Sequence, residues 1–211
     1  MKRGCSVKKL VAAILAVVGF AASASAQRVS EASIQAAIKC GMKEIKCDEP
    51  VLYPSGFRVD RLHFDFSVLP PAGRIFLAAR EAKEKHLKFA RDDVTDEMLA
   101  PTIQVRARDA HDDNKSITNI TQLLILPRGQ REGAIQPIKS EDWNHETKNL
   151  VGASFFRIGK SAYFAVSELP AGELDFVIIS DLYGEVRGGI GKTDREKLDQ
   201  WCGLGVAVKV P

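Results

Sequence analysis

The chain has 211 residues, of which 30 are lysine or arginine and 27 are aspartate or glutamate, so its formal net charge is +3. Four of the basic residues lie in the first 26 positions, which hold no acidic residue, and without this segment the net charge is −1. Residues 27–211 show no basic stripe with interleaved aromatic residues, which argues against nucleic acid as a partner. A chain of this length can bury a core without depending on disulfides.

The N-terminal segment has the layout of a secretory signal peptide. A basic start precedes an apolar run from Leu10 to Phe20, and Ala24-Ser25-Ala26 forms a small-residue cleavage site. The apolar run is shorter than the roughly 20 residues that cross a bilayer, so we expect no transmembrane segment in the mature chain. The pattern predicts a signal peptide at 1–26, cleavage between Ala26 and Gln27, and a single exported domain at 27–211, either periplasmic or secreted.

Export would place the remaining cysteines in an oxidising compartment, where thiols pair. Cys5 leaves with the signal peptide, and Cys40, Cys47 and Cys202 allow three pairings. A Cys47–Cys202 bridge would stabilise by about 5 kcal/mol and a Cys40–Cys47 bridge by about 2.5 kcal/mol in the chain-entropy treatment. Proximity during export favours the shorter loop. We therefore expect Cys40 to bond to Cys47, with Cys202 free or competing.

Helices are expected mainly within residues 30–100. Ser30 predicts the N-cap of a first helix. A second helix is predicted from Gly73 to Phe89, with His86 packed on its inner stripe. A short third helix is predicted to end before Pro101, because the residue before a proline disfavours helical geometry.

Period-two patterns predict strands over much of the remaining chain. The alternation across residues 57–68 slips in phase at Asp60-Arg61, which indicates a bulge or a break. Apolar and polar residues alternate across 103–108, as in a half-exposed strand. Two apolar runs within 151–166 flank Gly159-Lys160, which predicts a tight hairpin.

Two motifs near the C-terminus bear on the last helix. Gly191-Lys192-Thr193 has the residues of a phosphate loop, but Val186 stands where that motif requires its first glycine, so a glycine-rich turn is expected instead. Thr193 to Glu196 predicts a capping box that opens the helix. Val206 to Val210 predicts a final strand.

About seven to nine short strands, with helices before residue 101, predict a mainly β protein of the α+β class. We expect an antiparallel immunoglobulin-like β-sandwich with N-terminal helical additions. The stretch from Tyr163 to Phe176 resembles the strand–LPAGE–strand turn of immunoglobulin-like and transthyretin-like domains, which implies the same sandwich. The stretch from Asp93 to Pro101 resembles a segment of uncharacterised exported bacterial proteins, and this likeness implies no function.

Trp143 and His145 are the candidate ligand-surface residues. An exposed tryptophan beside hydrogen-bonding groups can hold a sugar or a peptide, whereas a buried one belongs to the core. The acidic cluster at 109–114 is expected to be a solvated turn, with Ca²⁺ binding as the alternative. The sequence predicts no catalytic, cofactor-binding or metal-binding residues and no cofactor.

These observations predict a non-catalytic binding or structural module of the cell envelope, whose partner is an envelope or extracellular protein or a glycan. One alternative is a small secreted hydrolase whose site is assembled from distant residues, with His63, His111 or His145 as the base. His63 and Asp65 would suit an acid–base pair. Another alternative is a protein-interaction subunit of an envelope complex, which would expose a large apolar patch.

Overall fold

A computed structural model describes residues 29–59, 62–109, 119–148 and 154–203. The helices are α1 (Glu31–Gly41), α2 (Pro71–Glu84), α3 (Asp96–Leu99) and α4 (Lys192–Trp201). The strands are β1 (Arg58–Val59), β2 (Leu62–Leu69), β3 (Thr102–Asp109), β4 (Ile120–Pro127), β5 (Lys139–Lys148), β6 (Ser154–Ala165), β7 (Leu174–Ser180) and β8 (Gly184–Ile190). The predicted signal peptide, its cleavage site and the predicted C-terminal strand lie outside the described residues. None of the described helices is long and apolar enough to cross a membrane.

The strands form two antiparallel sheets. One sheet has five strands in the order β1-β2-β3-β6-β5, and the other has three in the order β4-β7-β8. Neighbouring strands run antiparallel in every described pairing. The prediction of a mainly antiparallel protein with added helices is therefore confirmed.

The two sheets share one apolar core. The rings of Phe66 on β2 and Phe176 on β7 have their centroids 5.4 Å apart, so side chains from the two sheets meet directly. Phe164 and Ile125 are fully buried in the same cluster. Because each large apolar side chain that is fully buried contributes about 1.5–3 kcal/mol, this shared core is a major source of stability.

A second apolar cluster joins α1 and α2 to the end of β2. Leu69 at the end of β2 is 1% exposed and belongs to this cluster. A Cβ on Gly41 would lie 2.4 Å from the Phe76 carbonyl oxygen, so the glycine allows α1 and α2 to approach closely. Trp201 on α4 packs against both clusters and connects them.

The first and third helices begin as their sequences predict. The Ser30 hydroxyl accepts a hydrogen bond from the Ser33 backbone N–H at 3.1 Å, which caps α1. Thr95 accepts one from the Met98 N–H at 3.4 Å and caps α3. Side-chain caps of this kind satisfy N–H groups that the first helical turn leaves without partners.

The second helix is shorter than predicted, and His86 is not packed on it. α2 begins at Pro71, whose fixed φ suits the first helical position, and it ends at Glu84. His86 has a φ of 58° and is exposed. The Leu87 N–H donates to the Ala82 carbonyl at 2.8 Å across this left-handed residue, which closes the helix end. The prediction of a buried His86 is wrong.

The predicted hairpin at Gly159-Lys160 is also wrong, because β6 passes through this position without a turn. Lys160 pairs with Ala107 on one side and with Asp142 on the other. A Cβ on Gly159 would lie 2.4 Å from Cζ2 of Trp143. The glycine therefore serves the close approach of a tryptophan from the neighbouring strand and not a change of chain direction.

The last helix begins before the predicted capping box. α4 starts at Lys192, its N-cap is Gly191, and no side chain of that residue caps it. The Lys192 N–H instead donates to Oε1 of Glu173 at 3.1 Å, so a carboxylate from another loop supports the helix start. The prediction that Thr193 opens this helix is wrong because the cap comes from a residue distant in sequence.

Candidate binding face of the five-stranded sheet

The five-stranded sheet presents one apolar side and one polar side. Ile103, Val105 and Ala107 on β3 are buried in the shared core, so the alternating Gln104 and Arg106 lie on the opposite side. We call this opposite side the outer face. Its central described residues are Gln104, Arg106, Glu141, Trp143, Ser161 and Tyr163. Ser161 is buried and the other five are half-buried, as predicted for strand 103–108.

Trp143 lies on the outer face, close against the neighbouring strand. It stands opposite Gly159 in the β5–β6 register, and the missing side chain of that glycine makes room for the indole. The Nε1 atom of Trp143 is buried and has no hydrogen-bond partner in the described part of the chain. The indole is thus held in place while its N–H donor stays unused.

Arg106 brings a cation to the same place. Its Cζ atom lies 5.3 Å from the centroid of the Trp143 ring, a distance at which a guanidinium is attracted to the ring. The nearby Lys139 forms an ion pair with Glu141, with 2.7 Å between Nζ and Oε2. The Arg106 side chain forms neither an ion pair nor a hydrogen bond with any described residue, and its Nε atom is buried.

The outer face therefore holds two buried N–H donors without partners, on Arg106 and Trp143. The two nitrogens themselves are buried, so a ligand meets the rest of the half-buried Arg106 guanidinium beside the indole. A guanidinium matches the two oxygens of a carboxylate particularly well. The arrangement is suited to a ligand that presents an acidic group beside a surface able to contact an indole.

Tyr163 anchors a hydrogen-bond chain beside these donors. The Gln104 amide donates to the Tyr163 hydroxyl at 2.9 Å, and this hydroxyl donates to Oε1 of Glu141 at 2.8 Å. Burial and the bond to Glu141 raise the pKa of Tyr163 to about 12. Bonds from Lys139 and then from Tyr163 lower the pKa of the Glu141 carboxyl. At neutral pH the phenol is protonated and the carboxylate ionised, so Tyr163 is a fixed donor and not a nucleophile.

The side chains of the three histidines predicted for a hydrolase site lie outside the described part of the structure. His63 and His145 lie on β2 and β5, but their side chains are outside the described part of the structure, as is the whole of His111 and the turn around it. Asp65 is exposed and pairs with Arg108 across the β2–β3 register. Within the described ranges, no group of three or more histidine, cysteine, aspartate or glutamate residues is placed to hold a metal ion.

The cysteines divide into a bonded pair and a buried thiol. Cys40 at the end of α1 is bonded to Cys47, with 5.9 Å between the Cα atoms, which is the expected short-loop pairing. Cys202 is unbonded and 3% exposed. Burial, and then the charge of Asp199, raise the pKa of the Cys202 thiol to about 12.

We expect Cys202 to resist alkylation in the folded protein. The ordinary pKa of a cysteine thiol is 9.0, so a pKa of about 12 lowers the thiolate fraction at pH 8 about a thousandfold. Mass spectrometry of the Cys202 peptide after iodoacetamide treatment measures this, with the denatured protein as the control. Rapid labelling of the native protein at pH 8 would contradict the prediction.

The raised pKa of Cys202 also predicts how stability depends on pH. Because the unfolded thiol ionises at lower pH, the stabilising effect of the protonated Cys202 thiol should be complete below pH 9 and decline between about pH 9 and 12.

Sequence reasoning selected Trp143 and missed Arg106 and Tyr163. The alternation across 103–108 marked Arg106 as a polar strand residue, but β3 and β5 are separated in the sheet by β6. Their closeness depends on the order of strands, which the period-two pattern does not encode.

Comparison with protein-family models, curated proteins and solved structures finds no match to this chain.

Proposed function

We propose that this protein is an exported, non-catalytic binding module of the cell envelope and that its outer face binds an acidic glycan. The observation that carries the proposal is the half-buried Arg106 guanidinium, which lies against the Trp143 ring and forms no ion pair with a described residue. A sugar carboxylate would accept hydrogen bonds from the guanidinium, and the sugar ring would contact the indole. The raised pKa of Tyr163 keeps its hydroxyl a hydrogen-bond donor at neutral pH, which suits a binding surface.

Binding of tetragalacturonate, measured by isothermal titration calorimetry, tests this proposal. Arg106→Gln removes the charge and should weaken binding at least about tenfold, because a hydrogen bond to a charged group contributes about 1.5–3 kcal/mol. Trp143→Phe keeps a ring and removes the N–H, and should weaken binding less. Arg131→Gln is the matched control, because Arg131 is exposed and follows Gln130, whose carbonyl accepts a hydrogen bond from Arg187 on β8 of the other sheet.

A neutral glucose tetramer separates acid recognition from general sugar binding, and we expect it to bind more weakly than tetragalacturonate. Near-ultraviolet circular dichroism confirms that each variant is folded. Equal affinity of the wild type and Arg106→Gln for tetragalacturonate, or no binding of either sugar, would rule out the acidic glycan. Selective binding of an acidic peptide would identify a peptide as the ligand in its place.

The export part of the proposal rests on the segment 1–26 and on the disulfide between Cys40 and Cys47, a bond typical of oxidising compartments. We propose that residues 27–211 form the mature single domain. N-terminal sequencing of the protein from the periplasm and medium should give Gln27 as the first residue. Recovery of the intact chain with residues 1–26 would contradict export by this route.

We also propose that the domain is an immunoglobulin-like sandwich. The two antiparallel sheets with one shared core support this proposal.

A protein partner is the second candidate, and the position of β5 favours it. β5 is ten residues long and ends the five-stranded sheet, and no other described strand pairs with its free edge. An extended peptide can add a strand to such an edge. A photoreactive residue in place of the exposed Asp142 should cross-link to an envelope protein if β5 binds one. An equal cross-linking yield from a photoreactive residue on α4 would contradict this function. The small hydrolase, with His63, His111 or His145 as base, stays the remaining alternative.

A further inference from the structure

A cleft of about 560 Å³ opens among the helices, and none of its lining residues belongs to the outer face. α1 contributes Ala36 to its lining, α4 contributes Lys197 and Trp201, and the loop closed by the disulfide contributes Lys46. We call it the α1–α4 cleft. Small-molecule sites typically have volumes of about 300–1,000 Å³, so the cleft has room for a ligand of that size.

The lining combines apolar surface with positive charge. Ile45 is 37% exposed, and Trp201 is half-buried, so both offer apolar area to a ligand in the cleft. Lys46 and Lys197 line it from the loop and from α4, and neither forms an ion pair or hydrogen bond with a described residue. Asp48 is the one carboxylate among the lining residues, so the lining has one more positive charge than negative.

Both charged walls are fixed to the rest of the fold. The disulfide ties Cys47 to the end of α1, and Lys46 directly precedes the bonded cysteine. On the other wall, the Arg195 guanidinium donates to the Pro170 carbonyl and, at 3.0 Å, to the Gly172 carbonyl, both in the loop before β7. These contacts hold α4, and with it Lys197, at a set position. A site that is already formed spends less binding free energy on ordering its residues.

We propose that the α1–α4 cleft binds a small organic anion with a flat apolar part. The two lysines attract the acidic group, and the apolar wall with Trp201 accommodates the ring or short hydrocarbon portion. This site is separate from the outer face and does not depend on the function proposed for it. A neutral ligand would leave both lysines unpaired, and an ion without an apolar part would leave Ile45 and Trp201 in water.

Two fluorescent probes of similar shape and different charge test the proposal on the protein with its disulfide intact. Anilinonaphthalene sulfonate is an anion, and N-phenyl-1-naphthylamine is its neutral counterpart. Lys46→Met and Lys197→Met should each raise the Kd of the anionic probe about fivefold, near the upper limit for an exposed charge pair. The same changes should leave the Kd of the neutral probe almost unchanged. Lys39→Met is the matched control, since Lys39 is exposed on α1 and does not line the cleft.

Ala36→Phe fills the cleft from α1 and should abolish binding of both probes. Melting temperature and near-ultraviolet circular dichroism identify any variant that binds the probes because it is partly unfolded. Unchanged affinity of the anionic probe in both lysine variants would overturn the anion preference. Unchanged binding in Ala36→Phe, or no binding of either probe to the wild type, would overturn the site itself. Competition by a simple aryl carboxylate against the anionic probe is expected in the wild type, and its absence would also contradict the proposal.

Discussion

Replacement of Arg74 by methionine should lower the free energy of unfolding by about 3 kcal/mol. The buried Arg74 guanidinium forms no ion pair with a described carboxylate and instead donates to the backbone carbonyls of Met98, Ala100 and Thr102, at 3.1, 2.6 and 2.8 Å. Methionine fills a similar volume but removes these three hydrogen bonds. At roughly 1 kcal/mol for each, the lost bonds account for the expected change. The melting temperature should fall by about 6–12 °C, as expected for a domain of this size.

The effect is large because one side chain connects three parts of the fold. Arg74 lies on α2, and its acceptors lie at the end of α3 and the start of β3. Burial lowers the pKa of the Arg74 guanidinium, but arginine titrates so far above neutral pH that it stays protonated there. Arg74 therefore fixes the helical layer to the sheet in a way that does not vary with pH.

Arg80→Met is the matched control for this experiment. Arg80 lies on the same helix, but its side chain is 33% exposed and forms one surface ion pair with Glu49 at 3.4 Å. Such a pair contributes about 1 kcal/mol or less. Arg74→Lys should be intermediate, because an ammonium group donates to fewer of the three carbonyls. Equal losses of stability in Arg74→Met and Arg80→Met, measured by urea unfolding, would show that the carbonyl contacts are unimportant.

Local features of the fold could be predicted from the sequence where the deciding residues are close together. Ser30 caps the helix that begins at the next residue, and the alternation across 103–108 describes a strand with one buried side. Both depend on contacts within a few positions of the chain. The antiparallel character followed from the succession of short strands.

Features that depend on distant residues could not be predicted in the same way. Gly159 indicated a turn by composition, but its neighbour Trp143 from β5 explains the glycine. Thr193 had the pattern of a helix cap, but Glu173 supplies the contact. His86 matched the stripe of α2, but the helix ends before it is reached. In each case a tertiary contact or a local left-handed residue overrides the pattern.

The candidate site shows the same division. Trp143 was identifiable because an exposed tryptophan beside hydrogen-bonding residues can hold a sugar or a peptide. Arg106, 37 positions earlier in the chain, meets it only because β6 is inserted between the two strands. The unused donors of these residues are therefore a property of the sheet order and could not be read from either segment alone.

Reduction of the disulfide should lower the free energy of unfolding by about 2.5 kcal/mol. The bond closes a short loop from Cys40 to Cys47, and the chain-entropy estimate for a loop of this length gives that value. The melting temperature, measured with and without dithiothreitol, should fall by about 5–10 °C. Cys47→Ala is the control, because Cys47 is exposed and its replacement removes the bond with little loss of packing. This variant should melt near the reduced wild type and should not respond to the reductant.

The size of this change also distinguishes the two main pairings. A bond from Cys47 to Cys202 would close most of the chain and should contribute about 5 kcal/mol by the same estimate. A loss near 5 kcal/mol on reduction, or alkylation of Cys40 in the oxidised protein, would contradict the short-loop bond. A loss near 2.5 kcal/mol with Cys202 unmodified would agree with it. The measurement thus tests the connectivity of the bond that ties the loop carrying Lys46, and with it one wall of the α1–α4 cleft, to the end of α1.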